Sequence, residues 1–197
     1  MTRHLFAALL AALPASAFAQ DILSTATDNW AGASNEGFYY RAELYANGEF
    51  VGLRICQSLD AAPASCPNEA IELNNPMIQG YMTIGVNLEN TLIANSDGTL
   101  TLHARADDES YTFTENVVIQ MMDNQFTVMG YFLKSSEIEQ IDGQERDIFE
   151  CNADVWNNVA EWSFGPSTWQ GAAFEDKNAS RWHPQRAAEL GICPAVG

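Results

Sequence analysis

Arg41, Glu43 and Arg54 are the side chains whose types and spacing come nearest to a binding chemistry in this sequence. Two guanidinium groups held together present a fork of donors to a carboxylate or another anion. Tyr39 and Tyr45 flank them as aromatic walls. The juxtaposition rests on one turn. Asn47-Gly48 separates two alternating runs, Phe38 to Tyr45 and Phe50 to Ile55, and Asn-Gly between such runs is the strongest short hairpin signal, because a type I′ turn needs φ > 0 twice. With those two residues as the loop, Leu44 faces Val51, Ala42 faces Leu53 and Tyr40 faces Ile55 on one side. Arg41 then faces Arg54 on the other, with Glu43 beside them. Like charges in that position repel by about 1 kcal/mol even in water. Either an anion sits between them, making Arg41, Arg54, Glu43, Tyr39 and Tyr45 a ligand site, or Glu43 bridges both on a solvated face.

Tryptophan placement is the second feature. Four of the five, Trp156, Trp162, Trp169 and Trp182, fall late in the chain, with Trp30 alone upstream. Flat aromatic surfaces take sugar rings or partner proteins, so these four are candidates for an exposed binding surface; the alternative is that they fill a core. Catalytic motifs are missing: no Gly-x-Ser-x-Gly elbow, no His-Glu-x-x-His pair and no Gly-rich phosphate loop. Asn95-Ser96-Asp97-Gly98 resembles part of a calcium loop, but that spacing puts Ile93 at a ligand position, so it reads as a turn. His103 and His183 stand without a nucleophile motif and read as hydrogen-bonded or capping residues. A carboxylate pair for glycan hydrolysis has no specific signature among 26 acids. No catalytic residue, metal ligand or cofactor is assigned.

The elements that position these residues are strands. After the first hairpin, residues 57–76 read as a Pro-containing loop. A meander follows: alternation from Tyr81 to Leu88, a turn at Ser96-Asp97-Gly98, a strand from Leu100 to Ala104, a turn at Asp107 to Ser110, and a strand from Tyr111 to Met121 with a bulge near Glu115-Asn116. A hairpin at Asp123-Asn124 pairs Met121 with Phe126, Ile119 with Val128 and Val117 with Gly130. Asp142-Gly143 turns the chain into Ile148 to Cys151. Val155, Val159 and Trp162 allow a short helix, and Asn157-Asn158 equally allows a turn. Pro184 to Leu190 predicts a terminal helix ended by Gly191. The pattern is all-β and mainly antiparallel, a single-domain barrel or sandwich over residues 20–197 with a short C-terminal helix; closure into a barrel would remove exposed edges.

Residues 1–19 carry a basic head at Arg3, an apolar run from Leu5 to Leu13 and the small-residue motif Ala17-Phe18-Ala19, the three parts of a cleavable leader. A run of that length falls well short of the roughly 20 residues that span a bilayer, so no membrane insertion is expected once it is removed. An exported chain meets an oxidising compartment, periplasmic or extracellular. There Cys56, Cys66, Cys151 and Cys193 pair, most simply as Cys56–Cys66 and Cys151–Cys193. The net charge is −17, and losing Arg3 makes it one unit more negative. Nucleic acid and anionic membrane surfaces are thereby poor partners. The expectation is an exported, soluble, non-enzymatic binding module for a small ligand, a glycan or a protein; the alternatives are an acidic inhibitor of a cationic protein and a glycan hydrolase.

Overall fold

The computed structural model of the chain describes residues 21–30, 37–47, 50–66, 71–73, 87–107, 109–123, 125–138, 145–163, 167–170, 177–182 and 186–193. Among these, every strand pairing is antiparallel. The smaller sheet contains β1 (Ile22–Asn29), β2 (Tyr39–Asn47), β3 (Phe50–Ser58) and β4 (Ile71–Leu73), in that order. The larger sheet contains β5 (Asn87–Ala94), β6 (Leu100–Asp107), β7 (Tyr111–Met122), β8 (Gln125–Ile138), β9 (Glu145–Asp154), β10 (Val159–Trp162) and β11 (Ser167–Gln170), again each beside its neighbour in sequence. The two sheets are sandwich-like and do not close into a barrel. They approach where the edges β1 and β5 meet, and there the Leu92 amide donates to the Ser24 hydroxyl (3.0 Å).

Alternation builds one shared core. Ala26, Ala42, Leu44, Leu53 and Ile55 face inward from the smaller sheet, and Leu100, Leu102, Val117, Ile119, Val128 and Tyr131 from the larger. Trp30 stacks on Tyr40 at 4.1 Å and reaches Phe126 at 5.9 Å, tying one sheet to the other. Residues 177 and 178 pair with the edge of β8, while Trp182 and Cys193 pack against the inner side of β8 and β9. The Val128 amide donates to the Lys177 carbonyl (2.8 Å), Asn178 bridges Thr127, and Trp182 lies 5.4 Å from Tyr131. A 3-10 turn (Ala179–Arg181) leads to helix α1 (Arg186–Glu189). Gly191 ends the helix at φ +70°, its amide bonded to the Ala188 carbonyl and the Ile192 amide to that of Ala187. This is the double C-terminal cap that a left-handed glycine allows.

Several expectations are corrected. The first hairpin pairs Asn47 with Phe50, Leu44 with Leu53 and Ala42 with Ile55, a slip of two residues from the expected register. An even slip keeps every side chain on its face, so apolar alternation cannot detect it. In the second hairpin Met121 pairs with Phe126 and Ile119 with Val128 as expected, but a bulge then places Val118 opposite Gly130 and Val117 opposite Tyr131. The bulge lies at Met129, and β7 runs regularly through Glu115-Asn116. Of the two alternatives left open around Asn157-Asn158, the turn is the one formed, over residues 155–158 with Asn158 at φ +59°. The stretch 57–76 contains β4, paired with β3. The leader, the alternating run 81–86, the Asp142-Gly143 turn and His183 lie outside the described residues.

Candidate functional site

The arginine cluster stands on the outer face of the smaller sheet, but the slipped register changes its geometry. Arg54 lies opposite Glu43, and Arg41 opposite Cys56. The Glu43 carboxylate collects both cations: Arg41 Nε donates to Oε1 (2.6 Å), and Arg54 donates to Oε2 through Nη2 (2.7 Å) and Nε (3.2 Å). The Cys66 amide adds a fourth bond to Oε1 (3.3 Å). Glu43 is only 3 % exposed and Arg54 8 %. Burial alone would raise the Glu43 carboxyl, yet the hydrogen bonds from Arg41, Arg54 and the Cys66 amide, with the Arg54 charge, outweigh it and hold the group below its ordinary value. The Cys56–Cys66 bridge fastens the intervening loop at this place. Tyr45 is buried under the Arg54 guanidinium, 5.2 Å from ring centroid to Cζ. Its ring occupies the space above Gly52, where a Cβ would overlap the Tyr45 ring. Tyr39, on the same face, is exposed.

The four late tryptophans do not form one surface. Trp182 is buried in the core and Trp162 packs against it. Trp169 pairs through its backbone with Ala160, and its side chain lies outside the described residues. Trp156 alone is shown exposed, at 42 %. His103 is half-buried with Nδ1 2.7 Å from Asn116 Oδ1, a hydrogen-bonded residue as expected. The described residues contain no group of His, Cys, Asp and Glu able to hold a metal and no helix long and apolar enough to cross a membrane. All four cysteines are paired, as Cys56–Cys66 and Cys151–Cys193, which fits an oxidising environment outside the cytoplasm.

Trp156 belongs to a feature with no signature in the sequence, an open groove of about 490 Å³ on the outer face of the larger sheet. Val118, Gln120, Gly130 and Asn152 line it from β7, β8 and β9; Asp97 and Thr99 stand at one side, Asp154, Trp156 and Asn157 at another. The turns that deliver these residues are internally bonded. Asp97 Oδ1 accepts from the Thr99 amide (3.1 Å) and hydroxyl (2.7 Å). Asp154 accepts from the Asn157 amide (2.9 Å) and side-chain nitrogen (2.7 Å). Lys177 braces Trp156, donating to its carbonyl with Nζ 5.0 Å from the ring centroid.

Gly130 is the informative residue of this groove. A glycine inside a strand weakens it and commonly marks a bulge or a close approach of another group. Here a Cβ would meet Ala153 O and Val118 Cβ at 3.6 Å, ordinary contact. Packing therefore tolerates a side chain at this position, and the side chain's absence opens the floor of the groove.

A second buried carboxyl stands among the described residues. Glu115 faces the core at 3 % exposure with Ala104 and Leu133 as strand neighbours, and its Oε1 has no hydrogen-bond partner. Burial pushes its carboxyl up to about 8, against a small opposing effect of the Tyr131 hydroxyl.

Comparison of the chain with protein-family models, curated proteins and solved structures found no match.

Proposed function

We propose that this protein is an exported, non-enzymatic binding module whose ligand docks in the outer groove of the larger sheet. The observation that carries this reading is the groove floor at Gly130. The β8 backbone is left open where packing would accept a side chain, next to a bulge and an exposed, braced tryptophan. Bulges and mid-strand glycines gather where a sheet meets something else. Asp97, Asp154 and Asn157 are fixed by bonds within their own turns, so they are ordered before a ligand arrives, which lowers the entropic cost of binding. The arginine cluster belongs to the scaffold in this reading, since Glu43 answers the charge that would otherwise draw an anion. Export is supported by the leader pattern of residues 1–19 and by the two formed bridges; N-terminal sequencing of envelope or medium protein is expected to begin at Gln20.

The test is occlusion. Gly130→Ala should fold and bind much as the unmodified protein does, whereas Gly130→Leu should fold and lose binding on glycan and peptide arrays. Array signals untouched by Gly130→Leu would remove the groove from consideration.

A further inference from the structure

Resting on that reading, we infer that the ligand of the groove is a neutral glycan chain. Shape, chemistry and charge each narrow the choice.

The groove is open along the sheet face and is built from strands and turns at both sides. It therefore suits a chain that runs across it rather than a small molecule enclosed on all sides. The chemistry is that of hydroxyl recognition beside an aromatic platform. Trp156 offers an exposed indole to the apolar face of a sugar ring. Asn152 is exposed and its amide bonds no described residue, so it presents both donors and an acceptor. Asp97 commits Oδ1 to Thr99, and Asn157 commits its side-chain nitrogen to Asp154. The bonds described use neither Asp97 Oδ2 nor Asn157 Oδ1, which remain acceptors for hydroxyl protons. Mixed planar acceptors and amide donors at fixed positions match vicinal hydroxyls better than an acyl chain, which would leave them unpaired.

Charge decides the sign. Asp97 and Asp154 line the groove, Lys177 stands behind Trp156, and the chain carries −17 overall. An anionic glycan would be repelled. A cationic peptide would be drawn by the field, but Trp156 already carries the Lys177 ammonium 5.0 Å from its ring centroid, a positive charge that opposes a second cation at the platform. A neutral polyhydroxylated chain uses all of these groups without an electrostatic penalty.

The experiment is an NMR titration of oxidised protein lacking residues 1–19, following the Gly130 and Asn152 amides and the Trp156 indole. The probes are neutral β-linked chains of glucose, xylose, mannose and N-acetylglucosamine, a uronic-acid chain and a lysine-rich peptide. A neutral chain is expected to shift those signals with an affinity nearly independent of salt. Trp156→Ala should weaken it about tenfold, near the top of the range for an aromatic contact. Asn152→Ala, an exposed change that keeps the fold, should weaken it as well. Salt-sensitive binding of the peptide alone, blocked by Gly130→Leu, would overturn the glycan and leave the groove standing. Glycan binding indifferent to both Gly130→Leu and Trp156→Ala would overturn groove and glycan together, and a panel in which no neutral chain moves the groove signals would overturn the glycan.

Discussion

Glu43 holds two guanidinium groups with one carboxylate, and its removal would leave both without the counter-charge that pairs them. Breaking a buried pair from one side typically costs about 3–5 kcal/mol, so Arg54→Ala and Glu43→Gln should each lower unfolding free energy by roughly that amount in urea titrations. A change below about 1 kcal/mol would mean that the cluster behaves as a surface network. The Glu43 carboxyl binds its proton more weakly folded than unfolded. The stability it adds is therefore complete above its ordinary value of 4.5 and is lost as pH falls through the lower, folded value. Glu115 has the opposite sign. Its proton is held more tightly in the fold, so stability is full below 4.5 and declines as pH rises to about 8, by something on the order of 5 kcal/mol. Glu115→Gln should flatten that decline and leave the protein more stable than its parent at pH 8; parallel pH curves for the two would show that the group is not buried as described. The sequence exposed the first carboxylate through its basic neighbours. It concealed the second, because a glutamate in an alternating strand reads as solvent-facing or as a slip in the pattern.

Tyr45 and Gly52 form a cross-strand unit in which the ring stands where a side chain would be. Gly52→Ala should destabilise β2–β3 by about 1–3 kcal/mol through overpacking. Adding Tyr45→Ala should cost less than the sum of the two single changes, since the first has lost its obstacle. Strict additivity in a double-mutant cycle would contradict this contact. The two bridges act on different elements. Cys151–Cys193 spans 42 residues against 10 for Cys56–Cys66, so in the chain-entropy model its loss costs about 4 kcal/mol against nearly 3. Paired Cys→Ala variants compared by thermal unfolding should rank in that order, and the reverse order would show that the arginine cluster depends on its loop more than on its charges. At this scale turn chemistry was the legible part. Asp123 adopts φ +49° where the second hairpin was expected, and that register held up to the bulge. Strands β1, β4, β10 and β11 escaped notice because they are short or rich in Ser, Thr and Asn, and pairing with a neighbour, rather than their own composition, makes them strands. The groove escaped for a related reason: Asp97, Gly130 and Trp156 meet only when three separate turns and strands are assembled.

Across the whole molecule, the antiparallel meander was readable from the regular spacing of turns. The choice of a sandwich was not, because closure depends on how two sheet edges approach and no local pattern encodes that. One detail of the assembly bears on the order in which the chain can fold. The first residues of β8 have β7 on one side, and β9 joins the other side only from Gly130 onward; Val128 and Thr127 wait for Lys177 and Asn178. Synthesis adds about 5–20 residues per second, so Val128 exists for a few seconds before its partner does. Until then that strand edge stays open beside the unsealed interior of the larger sheet, a template for pairing with another chain. A chain stopped after residue 176 should keep the edge open for good and partition into aggregates in a sedimentation assay, whereas a soluble product would show that the sheet completes itself without the late segment. For the full chain the interval is a hazard of traffic, met before folding ends: a nascent molecule needs to be kept apart from its neighbours until Lys177 arrives, a need that the proposed export would meet if the chain crosses unfolded.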